Sequence, residues 1–446
     1  MARATSILMT TVLLDGSLLL TPDQTGIASY TRILAATLQT MDVDVDLLLG
    51  RRAHPQKNAP PITLALQVFG NETNRWGILR TAGRLWRARF GFRRQLTALP
   101  VPVEGIDLAS YTPRLPPYRG LYNADDYPTH ASAIFALRGT MTRIVLQHQV
   151  DAVHWTVPAT VYVKGVPNIF TLHDLIPMKF PHFTMDVAGR SASLHAMIAR
   201  HADHIVTVSE RSREDIKAML GVSDERISVT YQSAPSLQPW PREDAERLVR
   251  NLYRAKPDGY VFFCGAIEPK KNLFRLIEAF SLADTKKELL LAGPLGWLYD
   301  DVLPLLTGKT RLRPVRYLGY LPRNHIIALM QCASFFAFPS IYEGFGLPVL
   351  EAMALGVPVL TSHGGSLPEV AGDAAVLVDP LNVTEMTQAI QTMAADADLR
   401  KALAIKGYAQ AAKFSTPRHG DRLSAAYRKA GISLPAAAAM PAPANA

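Results

Sequence analysis

The chain has 446 residues, more than one hydrophobic core usually supports, so two domains are expected. Hydrophobic residues make up 48% of the sequence and charged residues 19%, which is typical of folded globular proteins and excludes an intrinsically disordered chain. The net charge of +9 favours an anionic partner, but nucleic acid is not expected because no recognition motif accompanies it. The two cysteines, Cys264 and Cys332, are predicted to be buried free thiols, which fits a reducing cytoplasm.

The beginning of the chain predicts a strand, a helix and a second strand. The apolar run from Ile7 to Leu14 is interrupted by Asp15 too early for a signal peptide, so a first β-strand is expected. A polar loop then leads to Gly26, which opens a helix through Leu38, and Val43 to Leu49 predict the next strand. A glycine between a strand and a helix lets the backbone approach a ligand closely. No stretch of the chain is expected to span a membrane as a helix.

A basic, aromatic segment from residue 74 to residue 94 departs from this regular pattern. It contains seven arginines, and no acidic residue occurs between Glu72 and Glu104. A helical projection places apolar side chains on one face and arginines on the next: Leu79, Trp86 and Phe90 against Arg80, Arg84 and Arg87. Two interpretations stay open, a surface that docks on anionic headgroups, or a first-domain core with a solvated arginine rim. The following residues, Leu99 to Tyr127, are rich in proline and tyrosine and are predicted to form a loop.

Regular α/β structure is predicted again from residue 151 onward. Three short apolar runs predict strands: Ala152 to Thr156, Asn168 to Leu172 and His204 to Val208. The dipeptide His173-Asp174 follows the second of these strands, where ligands bind in open α/β sheets. The proline-rich stretch from Gln232 to Gly259 predicts an interdomain linker around one helix.

The second domain is predicted to open with a buried strand, Tyr260 to Gly265, and a cationic loop that contains Lys270 and Lys271. Its most informative stretch runs from Phe338 to Thr361, which predicts a strand end, a glycine-rich loop, a helix from Leu347 to Leu355 and another strand. Such a loop presents backbone N–H groups at a helix N-terminus, which suits an anion such as a diphosphate.

Two glutamates accompany this loop and helix. Glu343 lies in the glycine loop, and Glu351 follows about two helical turns later on roughly the same side. One carboxylate can therefore reach a reacting group while the other holds a more distant part of the same ligand.

The segment from Glu343 to Glu351 resembles the two-glutamate motif of retaining glycosyltransferase family 4, whose members use nucleotide-sugar donors. The run Thr171 to Pro177 is similar to a segment found among the mannosyl- and rhamnosyltransferases of that family. Lys271 matches the lysine of the family's diphosphate clamp, whereas Ala266 stands where the family has an arginine and Lys270 is the nearest substitute. The resemblance covers almost the whole chain, most strongly residues 260 to 380 and least residues 50 to 150.

The resemblance implies the GT-B fold, an α/β architecture of two doubly wound parallel-sheet domains facing each other across a cleft. The expected boundaries are an acceptor-binding domain at residues 1–240 and a nucleotide-sugar-binding domain at residues 241–415. Residues 416–432 are expected to form a helix that crosses back to the first domain, and residues 433–446 a disordered tail.

The resemblance also implies a site. His173 and Glu343 are expected to surround the transferred sugar as catalytic residues. The donor-binding set is expected to be Gly26 (with Thr25 beside it), Lys270, Lys271, Gly344, Phe345, Gly346, Leu347 and Glu351. The donor is a co-substrate, and neither a cofactor nor a metal ion is expected, because fixed lysines and a helix N-terminus serve the leaving diphosphate.

The expected reaction is the transfer of a sugar to a polyprenyl-diphosphate-linked saccharide in bacterial polysaccharide assembly. Mannose from GDP-mannose is favoured, followed by dTDP-rhamnose or a UDP-sugar. The enzyme is expected in the cytoplasm, docked on the inner face of the membrane through Arg80, Arg84, Trp86, Arg87 and Phe90. Front-face attack and a covalent intermediate both stay open, as do two other functions: a nucleotide-sugar epimerase and a non-catalytic sugar-nucleotide-binding protein.

Overall fold

The computed structural model describes residues 10–21, 26–53, 60–70, 95–104, 115–183, 189–234, 237–306 and 315–434. Two large β-sheets organise these residues, one of eight strands from the first half of the chain and one of six strands from the second half. A further sheet of three short strands accompanies the first. The α/β fold class predicted from the sequence is confirmed.

The first domain is built on the eight-stranded sheet, in which every described pairing is parallel except that of β4 with β5. Its described strands, with those of the small sheet, are β1 Thr11–Asp15, β2 Asp44–Leu49, β3 Gln95–Thr97, β4 Leu99–Pro100, β5 Gly120–Asn123, β6 Thr142–Val145, β7 Ala152–Trp155, β8 Val161–Val163, β9 Asn168–Thr171, β10 His204–Thr207 and β11 Ile227–Val229. The order across the sheet is β11-β10-β9-β7-β1-β2-β5-β4, and β3-β6-β8 form the small sheet.

Helices cover the first sheet, and apolar residues fill the space between the layers. The described helices are α1 Gly26–Gln39, α2 Ile62–Phe69, α3 Tyr127–Arg138, α4 Ile176–Lys179, α5 Arg190–His201 and α6 Glu210–Leu220. The central strand β1 is fully buried, with Val12, Leu13 and Leu14 all at 0% exposure. A continuous apolar strand of this kind is typical of a parallel sheet covered on both faces.

The prediction of a loop from Leu99 to Tyr127 is wrong at β4, at β5 and at Tyr127, which begins α3, whereas residues 101–104, 115–119 and 124–126 lie outside helices and strands. Residues Gly120–Asn123 pair in parallel with β2, and Leu99–Pro100 add the antiparallel edge strand. The sequence signal is weak because β5 has only four residues, one of them a glycine. An ion pair between the exposed Arg119 and the buried Asp46 of β2, with 2.7 Å from Nη2 to Oδ2, fixes this strand beside its neighbour.

The second domain is built on the six-stranded sheet, whose described pairings are all parallel. Its strands are β12 Tyr260–Cys264, β13 Glu288–Ala292, β14 Val315–Tyr317, β15 Phe335–Phe338, β16 Val359–Ser362 and β17 Ala375–Val378, in the order β14-β13-β12-β15-β16-β17. The helices of this half of the chain are α7 Arg242–Tyr253, α8 Leu273–Leu282, α9 Leu303–Leu306, α10 Arg323–Cys332, α11 Leu347–Ala354, α12 Leu367–Ala371, α13 Val383–Ala395, α14 Ala397–Ala412 and α15 Thr416–Lys429.

Aromatic side chains fill the core of the second domain. Phe263 of β12 stacks on Phe338 of β15 with the ring centroids 5.7 Å apart, and Phe336 stacks on Phe338 at 5.8 Å. Cys264 and Cys332 are buried free thiols, as predicted. Because β12 and β15 are neighbours, the loops that follow them emerge side by side at the carboxyl edge of the sheet.

The last described helix, α15, leaves the second domain and packs against α1, β10 and β11 of the first. Its buried His419 shares a hydrogen bond with Thr37 of α1, with 3.1 Å from Nδ1 to Oγ1. Tyr427 shares another with His154 of β7, with 2.7 Å from its hydroxyl to Nδ1. No helix in the described part of the chain combines the length and the apolar character that crossing a bilayer requires.

Candidate active site

The first domain contributes His173, which lies two residues beyond the end of β9. Its Nε2 is 3.0 Å from the carbonyl oxygen of Thr156, and its ring contacts Tyr30 edge-on with 4.7 Å between centroids. Because a carbonyl only accepts hydrogen bonds, Nε2 carries the proton and Nδ1 is an acceptor. Burial lowers the pKa of His173, so the ring is neutral at physiological pH.

The second domain contributes the glycine loop that joins β15 to α11. Gly346 caps the helix with a φ of 101°, a left-handed conformation that favours glycine, and Pro348 lies in the first turn. Phe345 points into the core, where its ring contacts Phe414 at 5.7 Å, so only its backbone is available to a ligand. Leu347 is the first residue of the helix. The loop thus presents a helix N-terminus at the carboxyl edge of the sheet, as the sequence predicted.

A compact cluster of two lysines and two glutamates lies beside this loop. Lys271 Nζ is 2.6 Å from Glu343 Oε1, and Lys270 Nζ is 3.8 Å from Oε2 of the same carboxylate. Glu268 lies within ion-pair distance of both lysines, 3.5 Å from Lys270 and 3.9 Å from Lys271. All four side chains are largely buried, so the interactions among them are weakly screened.

Burial and charge oppose each other in setting the pKa values of this cluster. Burial tends to raise the pKa of Glu343, but Lys271 and Lys270 outweigh it and the pKa is lowered. Burial likewise tends to lower the pKa of Lys270, but Glu343 and Glu268 raise it above its usual value. Glu268 differs, because burial prevails over the lysines and raises its pKa. Glu343 is therefore a fixed carboxylate held between two ammonium groups.

Glu351 has a separate partner that the sequence analysis missed. Its carboxylate accepts hydrogen bonds from both terminal nitrogens of Arg323, the first residue of α10, with 2.9 Å from Nη1 to Oε2. Burial raises the pKa of Glu351, while Arg323 lowers it. The only sequence signal for this pairing was an arginine after a proline at the start of a helix that follows β14. Glu343 and Glu351 thus lie in two distinct environments.

The two domains touch where their loops meet. A Cβ atom on Gly344 would lie 2.8 Å from the carbonyl oxygen of His173 and 2.9 Å from Asp174 Cβ, so a side chain at this position has no room. Asp174 also helps to raise the pKa of Lys270 across the interface. The structure therefore brings together His173, the Glu343 loop and the two lysines.

The other predicted site residues are placed as follows. Gly26 is the first residue of α1, and a Cβ atom there would meet no described atom within 4 Å. Thr25 and the segment containing Arg80, Arg84, Trp86, Arg87 and Phe90 lie outside the described residues. Among the described residues, no group of three His, Cys, Asp or Glu side chains is arranged to hold a metal ion.

Two parallel α/β sheets whose carboxyl edges meet at such a site define the GT-B class of folds, and comparison with solved structures agrees. Sucrose-phosphate synthase from Thermosynechococcus elongatus superposes with a TM-score of 0.64 at 16% identity, covering 94% of this chain and 98% of that one. HepE from Anabaena, solved with UDP and glucose, gives a TM-score of 0.62 at 17% identity, covering 94% and 99%.

The chain belongs to the family of group 1 glycosyltransferases. The family model "Glycosyl transferases group 1" matches residues 244–410, and "Glycosyltransferase Family 4" matches residues 105–233. The chain is 37% identical over 271 residues to O-antigen chain mannosyltransferase B of Escherichia coli, covering 57% of this chain and 71% of the relative. This family membership makes the protein a glycosyltransferase of the hexosyltransferase type.

Two further relatives are more distant. The serotype-specific mannosyltransferase WbdA of Escherichia coli is 29% identical over 261 residues, which are 56% of this chain but only 32% of WbdA. An N-acetylgalactosaminyltransferase of Campylobacter jejuni, named for a diphospho-undecaprenol-linked saccharide, is 26% identical over 290 residues, covering 64% of this chain and 70% of the relative.

Proposed function

We propose that the protein transfers mannose from GDP-mannose, with retention of anomeric configuration and without a metal ion, to a polyprenyl-diphosphate-linked saccharide during polysaccharide assembly. The observation that carries this proposal is the pair Lys270 and Lys271, held by Glu343 at a helix N-terminus and adjacent to His173 of the opposite domain. These groups match the needs of a reaction whose leaving group is a nucleoside diphosphate.

The lysine pair supplies positive charge where the diphosphate departs. Lys271 donates one of its three N–H groups to Glu343 at 2.6 Å, which leaves two for phosphate oxygens. Lys270 has only longer ion-pair contacts, 3.5 Å to Glu268 and 3.8 Å to Glu343. The backbone N–H groups at the start of α11 add the positive end of a helix dipole. Fixed cations in a water-poor site strongly stabilise the negative charge that develops on the leaving diphosphate. In other enzymes a divalent metal ion has this role.

Glu351 and Arg323 are assigned to the nucleotide. The two charge-assisted hydrogen bonds from Arg323 fix the direction of the Glu351 carboxylate, and each oxygen keeps a second lone pair that can accept a ribose hydroxyl. The pair lies on α10 and α11, which follow β14 and β15 at the carboxyl edge of the sheet. We assign the diphosphate of that nucleotide to Lys270 and Lys271, which follow β12, the neighbour of β15 in the sheet.

His173 and Glu343 are assigned to the transferred sugar. The neutral His173 donates its Nε2 proton in a hydrogen bond to the carbonyl oxygen of Thr156, so Nδ1 is the atom that can accept a hydrogen bond from a sugar hydroxyl. Glu343 has a lowered pKa and stays ionised, so its carboxylate can stabilise positive charge that develops at the anomeric carbon. Both front-face attack and a covalent intermediate are compatible with a carboxylate in this position.

The donor and the stereochemistry are tested together. Purified protein is incubated with GDP-mannose, dTDP-rhamnose or a UDP-sugar and a short mannosyl acceptor linked to a polyprenyl diphosphate. The expected result is transfer from GDP-mannose to form an α-linked product, identified in NMR by the one-bond coupling constant between C1 and H1 of the new mannose. Transfer from another nucleotide-sugar contradicts the donor assignment, and a β-linked product contradicts retention.

The acceptor assignment is supported by the relatives and by the sequence of residues 74–94. The relative from Campylobacter jejuni is named for a diphospho-undecaprenol-linked substrate. Seven arginines without an acidic residue suit an anionic membrane surface, where each basic residue contributes about 1 kcal/mol. Tryptophan and phenylalanine in the same segment can enter the interface.

Membrane docking is tested by sedimentation with vesicles of phosphatidylglycerol and phosphatidylcholine. The variant Arg80→Glu, Arg84→Glu, Arg87→Glu is expected to lose at least about 3 kcal/mol, over about a hundredfold in partitioning. The control variant Arg247→Glu, Lys401→Glu, Lys406→Glu carries the same charge change on exposed second-domain positions and should still sediment. Wild-type protein that stays in the supernatant at low salt, or equal loss in both variants, contradicts the docking assignment.

A further inference from the structure

We infer that helix α6 of the first domain positions Glu343, the catalytic glutamate of the second domain, through hydrogen bonds to the hydroxyl of Tyr342. This inference rests on the proposed function in that it takes Glu343 as the group beside the reacting sugar. Tyr342 immediately precedes Glu343 in the chain, and its hydroxyl is the positioning group.

The hydroxyl of Tyr342 uses its whole hydrogen-bonding capacity on side chains of the opposite domain. It donates to Asp215 Oδ2 on the second turn of α6, and it accepts from Arg211 Nε at 3.1 Å and from Lys179 Nζ at 3.2 Å. A tyrosine hydroxyl has one proton and two lone pairs, so all are used here. Lys179 also lies over the tyrosine ring, 4.6 Å from its centroid.

Two partly exposed cations and one buried carboxylate surround this hydroxyl. Lys179 Nζ is 2.7 Å from Asp215 Oδ1, and Arg211 lies 3.5 Å from the same oxygen. The Asp215 side chain is only 9% exposed. Burial and the neighbouring Asp215 both raise the pKa of Tyr342, which keeps the hydroxyl protonated as a donor. The aromatic ring of Phe180 packs 5.2 Å from that of Tyr342 and shields the contact.

A second contact with α6 lies on the other side of Glu343. Ser212 Oγ donates to the carbonyl oxygen of His173 at 2.9 Å and lies 3.4 Å from that of Gly344. Both chain neighbours of Glu343, Tyr342 and Gly344, therefore meet the same helix. The carbonyl group of Glu343 is itself held within the second domain, by the N–H and hydroxyl of Ser366 at 3.1 Å each.

A third contact ties the start of α6 to the second domain. Glu369 of α12 accepts hydrogen bonds from two backbone N–H groups, Glu210 at 3.0 Å and Arg211 at 3.1 Å. These are groups that a helix start leaves without an internal partner, and a carboxylate there also meets the positive end of the helix dipole. Three second-domain residues, Tyr342, Gly344 and Glu369, thus contact the first two turns of α6, and two of them are the chain neighbours of Glu343.

Because of these contacts, the rate of sugar transfer should depend on the docking of α6 against the second domain. The Glu343 carboxylate is held by lysines of its own domain, while the Tyr342 hydroxyl before it and the Gly344 carbonyl after it contact the first domain, which also carries His173. Correct placement of Glu343 relative to His173 therefore requires the docked arrangement. Loss of the Tyr342 hydroxyl should leave the nucleotide pocket intact and misplace the reacting group.

The test compares Tyr342→Phe, Asp215→Asn and the double variant with wild-type protein. With GDP-mannose as donor, kcat should fall about tenfold or more in each single variant, while the Kd for GDP stays within about twofold. The double variant should lose little beyond the worse single one, because both remove the same contact. Matched controls are Asp224→Asn, which alters an ion pair of α6 on its solvent side, and Tyr162→Phe on β8.

A second measurement does not depend on any transferase activity. In hydrogen exchange of the protein without nucleotide, the amides of residues 341–347 should exchange faster in Tyr342→Phe and Asp215→Asn, and as in wild type in both controls. Unchanged exchange in the two variants overturns the inference, and so does a fully additive double variant. If wild-type protein fails to use GDP-mannose while exchange responds as expected, the donor assignment fails and the positioning contact stands.

Discussion

Arg323 offers the sharpest test of how the nucleotide site is built, because replacing it leaves a buried carboxylate without its counter-ion. The side chain of Glu351 is 5% exposed, and both of its oxygens accept from Arg323. In Arg323→Ala these two charge-assisted hydrogen bonds are lost, and burial alone then sets the pKa of Glu351, which must rise further.

The expected loss of folding stability in Arg323→Ala follows from the burial of Arg323 and Glu351. Removing one partner of a fully buried ion pair costs about 3–5 kcal/mol, whereas exposed pairs are worth about 0.2–1 kcal/mol. The Arg323 side chain is 41% exposed, so solvent screens part of the interaction and a loss of about 2 kcal/mol of folding stability is expected. A protonated, unfixed Glu351 is also a poorer acceptor for ribose hydroxyls, and a Kd for GDP raised by about tenfold corresponds to about 1.4 kcal/mol.

Isothermal titration with GDP and urea unfolding of the same samples measure both effects. Arg323→Lys keeps the charge but not the two-pronged geometry, so it should fall between wild type and Arg323→Ala. Arg247→Ala is the control, because its ion pair with Asp244 is exposed and far along the chain from the site. If Arg323→Ala binds GDP as tightly as wild type, the Arg323–Glu351 pair does not hold the nucleotide.

Three further predictions concern the same cleft. Glu343→Ala should chiefly lower kcat, and Glu351→Ala should weaken donor binding by about 1.5–3 kcal/mol; unchanged KM with a collapsed kcat in Glu351→Ala contradicts these roles. Transfer should survive EDTA because Lys270 and Lys271 serve the diphosphate, and activity lost in EDTA but restored by Mg²⁺ or Mn²⁺ contradicts this. The lysines lower the pKa of Glu343 below 4.5, so its contribution to stability is present above pH 4.5 and lost as pH falls through the folded-state pKa. In Lys271→Met the free energy of unfolding should begin to fall at a higher pH than in wild type, as measured by urea unfolding at a series of pH values. If the two proteins show the same pH dependence of stability, the ion pair between Lys271 and Glu343 is refuted.

Several parts of the molecule could be predicted from sequence because their signals are local. The apolar run around Phe338, the glycines of the following loop and Pro348 specify a strand, a turn and a helix start through short-range sterics and backbone hydrogen bonding. Buried parallel strands such as Tyr260–Cys264 are continuous apolar runs, which is why the α/β class was evident. The strand Gly120–Asn123 gave no such signal, since its place in the sheet depends on pairing with β2.

The composition of the site depended on the tertiary structure. The spacing of Glu343 and Glu351 does not reveal their ion-pair partners. Folding places Lys270 and Lys271 beside Glu343, and it places Arg323, which lies 28 residues earlier in the chain, beside Glu351. The contact between Tyr342 and Asp215 joins residues 127 positions apart and has no local signature. Which charges become neighbours is decided by strand order and by the meeting of two domains, and no spacing within a single segment records that outcome.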